Sequence, residues 1–510
     1  MNLSGTLLTS RPFAANVCAL CRSQKRKCDK AMPSCSRCQK LGIPCDYDFY
    51  LTELANSASS LPMRLSLALG QIWLPPVTLE ALQPYQDNVQ GRRIHVDQFA
   101  VQLIMTSLAK SRVPLQDVLS VYFFSLQSWL PVIHEKSFRS RVTQLRYAPR
   151  ADTALLLLCM YVAAQGQGNS PENENAQHEA YYICKYLFSF LQIVQPPSLE
   201  MVQCGLLITV FEVGSVLSAA ASVSIATCAR LGYALGLHVD QQKDFGNISP
   251  AWVEAEERRR VWLGLFILDR LVMQAATNCR APHVVGVPDP TFRLPGPDAI
   301  WDGPCELMRG EIPGATLATA VEMRVSYFAR EVQASELLGQ AQELINIHDS
   351  LELLEKLENL ETKVLYMTKI LFDQTPGSWV VFCGANSICL LTMILLQQGR
   401  MAEEAPILGS VDQRRSVDKG LLAVSSTINM ICEICAKFNE VATSTEAKLV
   451  PLPAVICTGM AALAALQVNQ PQENTSALKR TLELSCEKWK LARHYLKKLE
   501  VFEGKWQAAP

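Results

Sequence analysis

No histidine lies between residues 1 and 94, and only one acid, Asp29, lies between Arg11 and Cys45. The first absence excludes a Cys/His finger from the amino-terminal part of the chain. The opening residues, MNLSGTLLTSRPF, have neither the basic start nor the apolar core of a signal peptide. A reducing compartment is therefore expected, where clustered cysteines hold metal rather than form disulfides. There is no hairpin signal and no repeat at a fixed period, so nothing argues for strands or a solenoid. Charged residues make up only 19% and hydrophobic residues 49%, which excludes wholesale disorder and allows a large core. Clean membrane spans are missing too. Leu206–Ala226 contains Glu212 and many small residues, and Leu452–Leu466 is short for a span. Both predict buried helices of a soluble chain with no membrane partner.

What is present is unevenly placed. The 510 residues are material for about three domains, and the whole-chain charge of −1 averages two unlike parts. Arg11, Arg22, Lys25, Arg26, Lys27, Lys30, Arg37 and Lys40 face Asp29 alone in the amino-terminal segment. Removing these from the chain's 47 basic and 48 acidic residues leaves 39 against 47. A basic head precedes a mildly acidic body. Cysteine follows the same division, with six of 18 between Cys18 and Cys45 and the rest scattered.

Residues 1–17 show no periodicity and are expected to form a disordered tail, followed by the cysteine cluster at 18–45. Over 46–94 a small-residue patch, Pro62, Pro75, Pro76, Pro84 and Gly91 predict a linker, because prolines at that density break a continuous helix. From 95 to 510 apolar residues recur at spacings of three and four, which predicts an all-α, multi-helix bundle. Within it, Ile225, Cys228, Ala229, Gly232, Leu235 and Gly236 share a face whose small size predicts a close neighbour. Val261–Met273 is apolar nearly all round and should be buried. The prolines between Ala281 and Thr316 predict a long connection through the middle of the domain.

The cluster reads Cys18-x2-Cys21-x6-Cys28-x6-Cys35-x2-Cys38-x6-Cys45, two copies of C-x2-C-x6-C. Zinc in a structural site takes four ligands in a tetrahedron. Two separate tetrahedra need eight, so six sulfurs suffice only if two bridge, and the internal symmetry suggests one from each half. A window this short has no room for an apolar core. Metal must supply most of its folding free energy, on the order of 10 kcal/mol or more per structural zinc. Arg22, Gln24, Lys25, Arg26 and Lys27 lie between Cys21 and Cys28, and Lys30 follows. This predicts one short helix carrying four cations, its amino-terminal end toward phosphate or a groove, with Lys and Arg reaching base edges and backbone oxygens. Two zincs and six thiolates sum to −2 against a surrounding +7, so the module stays net positive.

These residues resemble the binuclear zinc cluster (Zn2Cys6) DNA-binding domain of fungal transcription factors. The resemblance implies two structural Zn2+ ions bridged by Cys18 and Cys35, with Cys21 and Cys28 completing one site and Cys38 and Cys45 the other. It also implies a helix in the major groove of a CGG-like triplet, read by a lysine in the middle of the basic run, by position Lys25. The preceding position, often basic in the family, is Gln24. Pro33 matches the proline that turns the loop between halves, and in this class dimer spacing sets half-site separation. The body resembles the fungal-specific transcription factor domain in Tyr122-Phe123-Phe124 with Trp129 to His134, in Cys228 to His238, and in Glu256 to Trp262 with Asp269-Arg270. Where the family often has Gly-Arg-Pro, this chain has Arg280-Ala281-Pro282. The resemblance covers 18–45 and, most strongly, 115–295; residues 318–510 match only in being helical.

It implies a nuclear, zinc-dependent, sequence-specific regulator of RNA polymerase II transcription, not an enzyme, bound to double-stranded DNA. A secondary-metabolite gene cluster is the preferred pathway type, and a small-molecule effector is a further partner. A zinc-stabilised protein-interaction module and a helical enzyme with an appended zinc tail are the alternatives. Leu51, Leu54, Ala58 and Leu61 give fewer than two heptads before Pro62, so a homodimer stands against a monomer on one triplet. The heptad-like stretch from Leu337 to Val364 is expected inside the bundle. Cys432 and Cys435 are read as core cysteines, and His134 and His238 as helix-end or interface histidines. Asp269, on a buried face with Trp262 and Phe266, needs a cationic partner, expected to be Arg230 or Arg280.

Overall fold

The computed structural model describes residues 17–18, 20–21, 24–31, 34–42, 89–165, 171–240, 250–275, 281–301, 314–345, 350–374, 383–403, 412–468, 470 and 472–507. The fold is all-α. Among the described residues there are eighteen helices and no strand, only an isolated antiparallel bridge between Arg293 and Thr316. Helix α1 (Ser36–Leu41) belongs to the cysteine module. The body starts with α2 (Val89–Lys110), inside the stretch expected as linker; 43–88, with Leu51 to Leu61, lie outside the described residues.

Helices α3 (Leu115–Ser125), α4 (Glu135–Gln144), α5 (Ala151–Ala164), α6 (Pro171–Val194), α7 (Leu199–Gly214), α8 (Ser218–Ala234) and α9 (Pro250–Ala275) follow. Helix α5 is buried at every position and α7 from Glu200 to Gly214, as continuous apolar sequence requires. The small face of α8 meets the close neighbours predicted for it. Cys228 occupies the space a Cβ on Gly205 of α7 would need, and a Cβ on Gly232 would lie 3.0 Å from Trp262 of α9. Helix α8 ends where Gly236, at φ +67°, lets the Leu237 N–H return to the Gly232 carbonyl at 3.0 Å. A left-handed residue placed there closes a Schellman cap, and glycine does so without steric cost.

After α10 (Asp298–Trp301), the remaining helices are α11 (Tyr327–Leu344), α12 (Ser350–Gln374), α13 (Cys383–Glu403), α14 (Asp412–Val441), α15 (Ser444–Ala447), α16 (Leu452–Gln467), α17 (Gln472–Ser485) and α18 (Lys490–Gln507). Helix α13 packs on α11, α12, α14 and α16, while α9 touches α11 and α16. Leu338, Leu357, Leu360 and Val364 lie in the core, so the heptad-like stretch is internal packing. Gly420–Val441 of α14 is long and apolar enough to cross a membrane by length and composition. Here its Val424, Ile428, Ile431, Cys432 and Cys435 are part of the same core.

The proline-rich connection over 281–301 is held by arginines of α9. Arg260, wholly buried, binds Glu256 at 2.8 Å, pairs with Asp298, donates to the Gly296 carbonyl at 2.6 Å and lies 4.0 Å from the Trp301 ring. Arg259 binds Asp240 at 3.1 Å, and Asp240 also takes Arg293 at 2.9 Å. Prolines have no N–H to join a helix or sheet, so side-chain donors on its carbonyls hold the segment in place.

Of the two partners expected for Asp269, the described residues overturn one. Arg230 is exposed, and Arg280 lies outside the described residues. The partner is the adjacent Arg270, whose Nη1 sits 3.2 Å from Oδ2, joined by the Val285 N–H at 3.1 Å and His283 at 3.6 Å. The chain bends back over 281–285, so the Val285 and His283 contacts depend on tertiary path rather than helical spacing. Desolvation lowers the Arg270 pKa to about 10, which still leaves the guanidinium charged at neutral pH. Asp269→Asn keeps an acceptor for Val285 but removes the charge facing Arg270. Stability should fall by about 1–3 kcal/mol, and an unchanged urea midpoint would show that the pair contributes nothing.

Candidate metal centre and nucleic-acid interface

Cys18, Cys21, Cys35 and Cys38 are buried and form a core of their own, with Leu20 and Cys28 against it. The Sγ atoms of Cys18 and Cys35 are 3.9 Å apart, Cys18 and Cys38 3.6 Å, Cys21 and Cys35 3.8 Å, and Cys28 and Cys18 4.0 Å. A zinc–sulfur bond of about 2.3 Å gives a regular tetrahedron an edge of about 3.8 Å, so the spacing fits the metal. Cys18, Cys21, Cys28 and Cys35 offer four sulfurs all within 4.8 Å of one another. Cys18 also reaches Cys38, placing its sulfur against both halves of the motif. Cys45 lies outside the described residues. Desolvation pushes the Cys35 thiol up to about 12; thiolates crowd together there only when a divalent cation offsets their charge.

Cys35 also caps α1, its Sγ accepting from the Cys38 N–H at 3.4 Å. Asp29, the one acid of the segment, is engaged at the same helix end. Its carboxylate accepts from the Ser36 N–H at 3.0 Å and from the Ser36 hydroxyl. Those bonds hold Asp29 below the ordinary carboxylate range. The acid thus serves the fold.

The four-cation helix is not formed as expected. Arg22 lies outside the described residues, but the Gln24 N–H bonds the Leu20 carbonyl at 3.2 Å and the Arg26 N–H bonds the Cys21 carbonyl at 2.8 Å. With Lys25 at φ +50°, this is the same Schellman closure glycine makes at the end of α8. The helical turn stops at Gln24, and Arg26 and Lys27 lie beyond it. Cations therefore gather at the carboxyl-terminal end of the turn, where the helix dipole favours them, and not toward its amino-terminal end. Gln24, Lys25, Arg26 and Lys27 are exposed, and Lys30 is half-buried at φ +58°. Arg37, counted in sequence only as another cation, donates to Gln24 Oε1 at 2.7 Å and to Cys21 Sγ at 3.8 Å. It braces the turn against the second half of the motif.

The tempting residues of the body have structural roles. His134 caps α4, Nδ1 facing Ser137 and Nε2 donating to the Trp301 carbonyl at 3.1 Å; desolvation lowers its pKa and keeps it neutral. His238 lies exposed in the turn after α8, its ring 5.0 Å from that of Tyr233. Cys432 and Cys435 are buried core residues whose thiols desolvation raises, Cys432 to about 12. Among the described residues the amino-terminal cysteines are the one group arranged to hold a metal.

Comparison with known proteins agrees with this geometry. The fungal Zn(2)-Cys(6) binuclear cluster domain matches residues 16–51, and the fungal specific transcription factor domain matches 119–275. Transcription factor BOA15 of Botryotinia fuckeliana is 34% identical over 139 residues, which is 27% of this chain and 76% of that protein. An uncharacterized transcriptional regulatory protein of Schizosaccharomyces pombe is 25% identical over 354 residues, 65% of this chain and 49% of the relative. The depudecin biosynthesis cluster-specific transcription activator DEP6 of Alternaria brassicicola is 47% identical over 38 residues, 7% of this chain and 6% of its own. The chain belongs to the fungal Zn2Cys6 transcription-factor family. Its amino-terminal module is a DNA-binding domain holding two structural zinc ions.

Proposed function

We propose that this chain is a nuclear, sequence-specific regulator of RNA polymerase II transcription that reads CGG-like triplets. Cys18 and Cys35 bridge the two zincs, Cys21 and Cys28 complete one site, and Cys38 and Cys45 the other. Every coordination position is then a cysteine sulfur, leaving none open for a substrate. Residues 95–510 serve regulation. The observation that carries the reading is the exposed run Gln24–Lys27 at the end of a turn pinned by Cys21 and braced by Arg37. Lys25 sits at the apex and meets the base edges. Arg22, Arg26, Lys27 and Lys30 meet phosphate, and Gln24, its carbonyl held by Arg37, presents its amide. The printed role of DEP6 as a cluster-specific activator supports a pathway-specific regulator of a secondary-metabolite cluster. A homodimer on two half-sites, or a monomer on one, is separated by gel-shift stoichiometry.

Lys25→Gly tests the reader directly. Glycine adopts positive φ without steric cost, so the cap and both zincs should survive while the cation is lost. Affinity for a CGG probe should fall by about ten- to a hundredfold, the range for one base-reading side chain, with a smaller change on random duplex. Undiminished CGG preference in titrations across salt concentrations would remove Lys25 from the reading role.

A further inference from the structure

A cavity of about 520 Å3 opens among α11, α13, α14 and α16. Its walls are mainly apolar, with Phe372, Leu390, Ile431, Ile434 and Phe438 prominent. Set into them is Glu331, 4% exposed, whose Oε2 has no partner among the described residues. Gly384 of α13 stands directly against the Glu331 carboxyl, so that no Cβ fits between them. Asn386, two residues on, has an unpartnered buried Oδ1 in the same lining. Glu446, exposed, is a second acid among the lining residues. Among the described lining residues there is no lysine, arginine or histidine.

A buried acid without a partner costs stability, and a family of helices that packs glycine around it leaves that acid available to something else. We propose that this cavity binds an apolar small molecule bearing a basic amine, with Glu331 and Asn386 receiving the ammonium and the aliphatic and aromatic walls receiving its body. Burial pushes the Glu331 carboxyl well above the usual carboxylate range, reinforced by the charge of Asp298. A neutral amine entering beside the protonated acid takes its proton to give an ammonium–carboxylate pair, and an amine entering as ammonium forms the same pair as the acid releases its proton to water. A hydroxyl gains only a neutral hydrogen bond, and a carboxylate meets acceptors of its own sign. The N–H of Trp129, also buried and unpartnered in the lining, suits an ether or carbonyl oxygen on the same molecule.

The test is calorimetry on the zinc-loaded full chain, without DNA, so that its outcome is independent of the DNA reading. Three probes share one body: 1-naphthylmethylamine, 1-naphthalenemethanol and 1-naphthaleneacetate. The amine should bind at least tenfold tighter than the alcohol, and the acetate weakest. Glu331→Gln should lower amine affinity to the level of the alcohol and leave the alcohol within about twofold. Equal binding of amine and acetate, amine binding unaffected by Glu331→Gln, or no binding by any probe would overturn the proposal. Helical content by circular dichroism verifies the variant. Should it not fold, Ala454→Leu, which fills the wall from α16, must weaken amine and alcohol together, and unchanged affinity for both overturns the proposal equally.

Discussion

Cys18→Ala is expected to release both zinc ions, not one, and to abolish DNA binding. The Cys18 sulfur lies within 4.0 Å of Cys28, Cys35 and Cys38, so it stands where both tetrahedra would meet. Losing it leaves two three-coordinate metals. Structural zinc contributes about 10–16 kcal/mol to the folding of small modules at neutral pH. The module's own core is little more than the cysteines and Leu20, and nothing remains to hold it. Cys28, whose sulfur lies at the edge of the cluster and half-exposed, should by contrast lose one zinc more readily than two. Native mass spectrometry gives the stoichiometry. A Cys18→Ala protein that keeps one zinc would refute the bridging assignment.

Arg260→Met should be the most damaging single change in the helical body. It removes a wholly buried cation from Glu256, Asp298, the Gly296 carbonyl and the Trp301 ring in one step. Asp298 is then left without its cation, while Glu256 keeps Arg259 and the Gly296 N–H. Breaking a buried pair from one side typically costs about 3–5 kcal/mol. Adding Asp298→Asn to Arg260→Met should recover part of the loss, because it withdraws the charge left without that cation. Urea midpoints of the single and double variants measure both, and a double variant no better than the single would mean that packing of the guanidinium, rather than charge, dominates.

The zinc ligands were legible because coordination depends on residue type and spacing, both visible in a string. Helix periodicity likewise exposed the bundle, since α5, most of α7 and the Val261–Met273 part of α9 are apolar nearly all round and must be buried. The end of the first turn was not legible. Gln24 to Lys27 are all good helix formers, and only the pull of the metal ligands puts a lysine where a glycine would be expected. Asp29 and Arg37 could have been noticed, one as a lone acid shortly before a serine at a helix start, the other as a cation two residues from a ligand. The surroundings of Asp269 were hidden because Val285 and His283 reach it only by the path of the chain after α9. Glu331 was hidden for another reason: in Tyr327–Leu344 it looks like any polar residue of a surface helix, and its burial follows from α12 and α13, further along the sequence.

The arginines of α9 grip the proline-rich connection in part through its carbonyl oxygens, at Gly296 and, from Arg270, at Val285. Carbonyls are the same in every amino acid. Those two bonds therefore place no demand on side-chain identity, whereas Asp298 and Trp301, which meet Arg260 through their side chains, and Arg293, which meets Asp240, cannot drift without loosening the attachment.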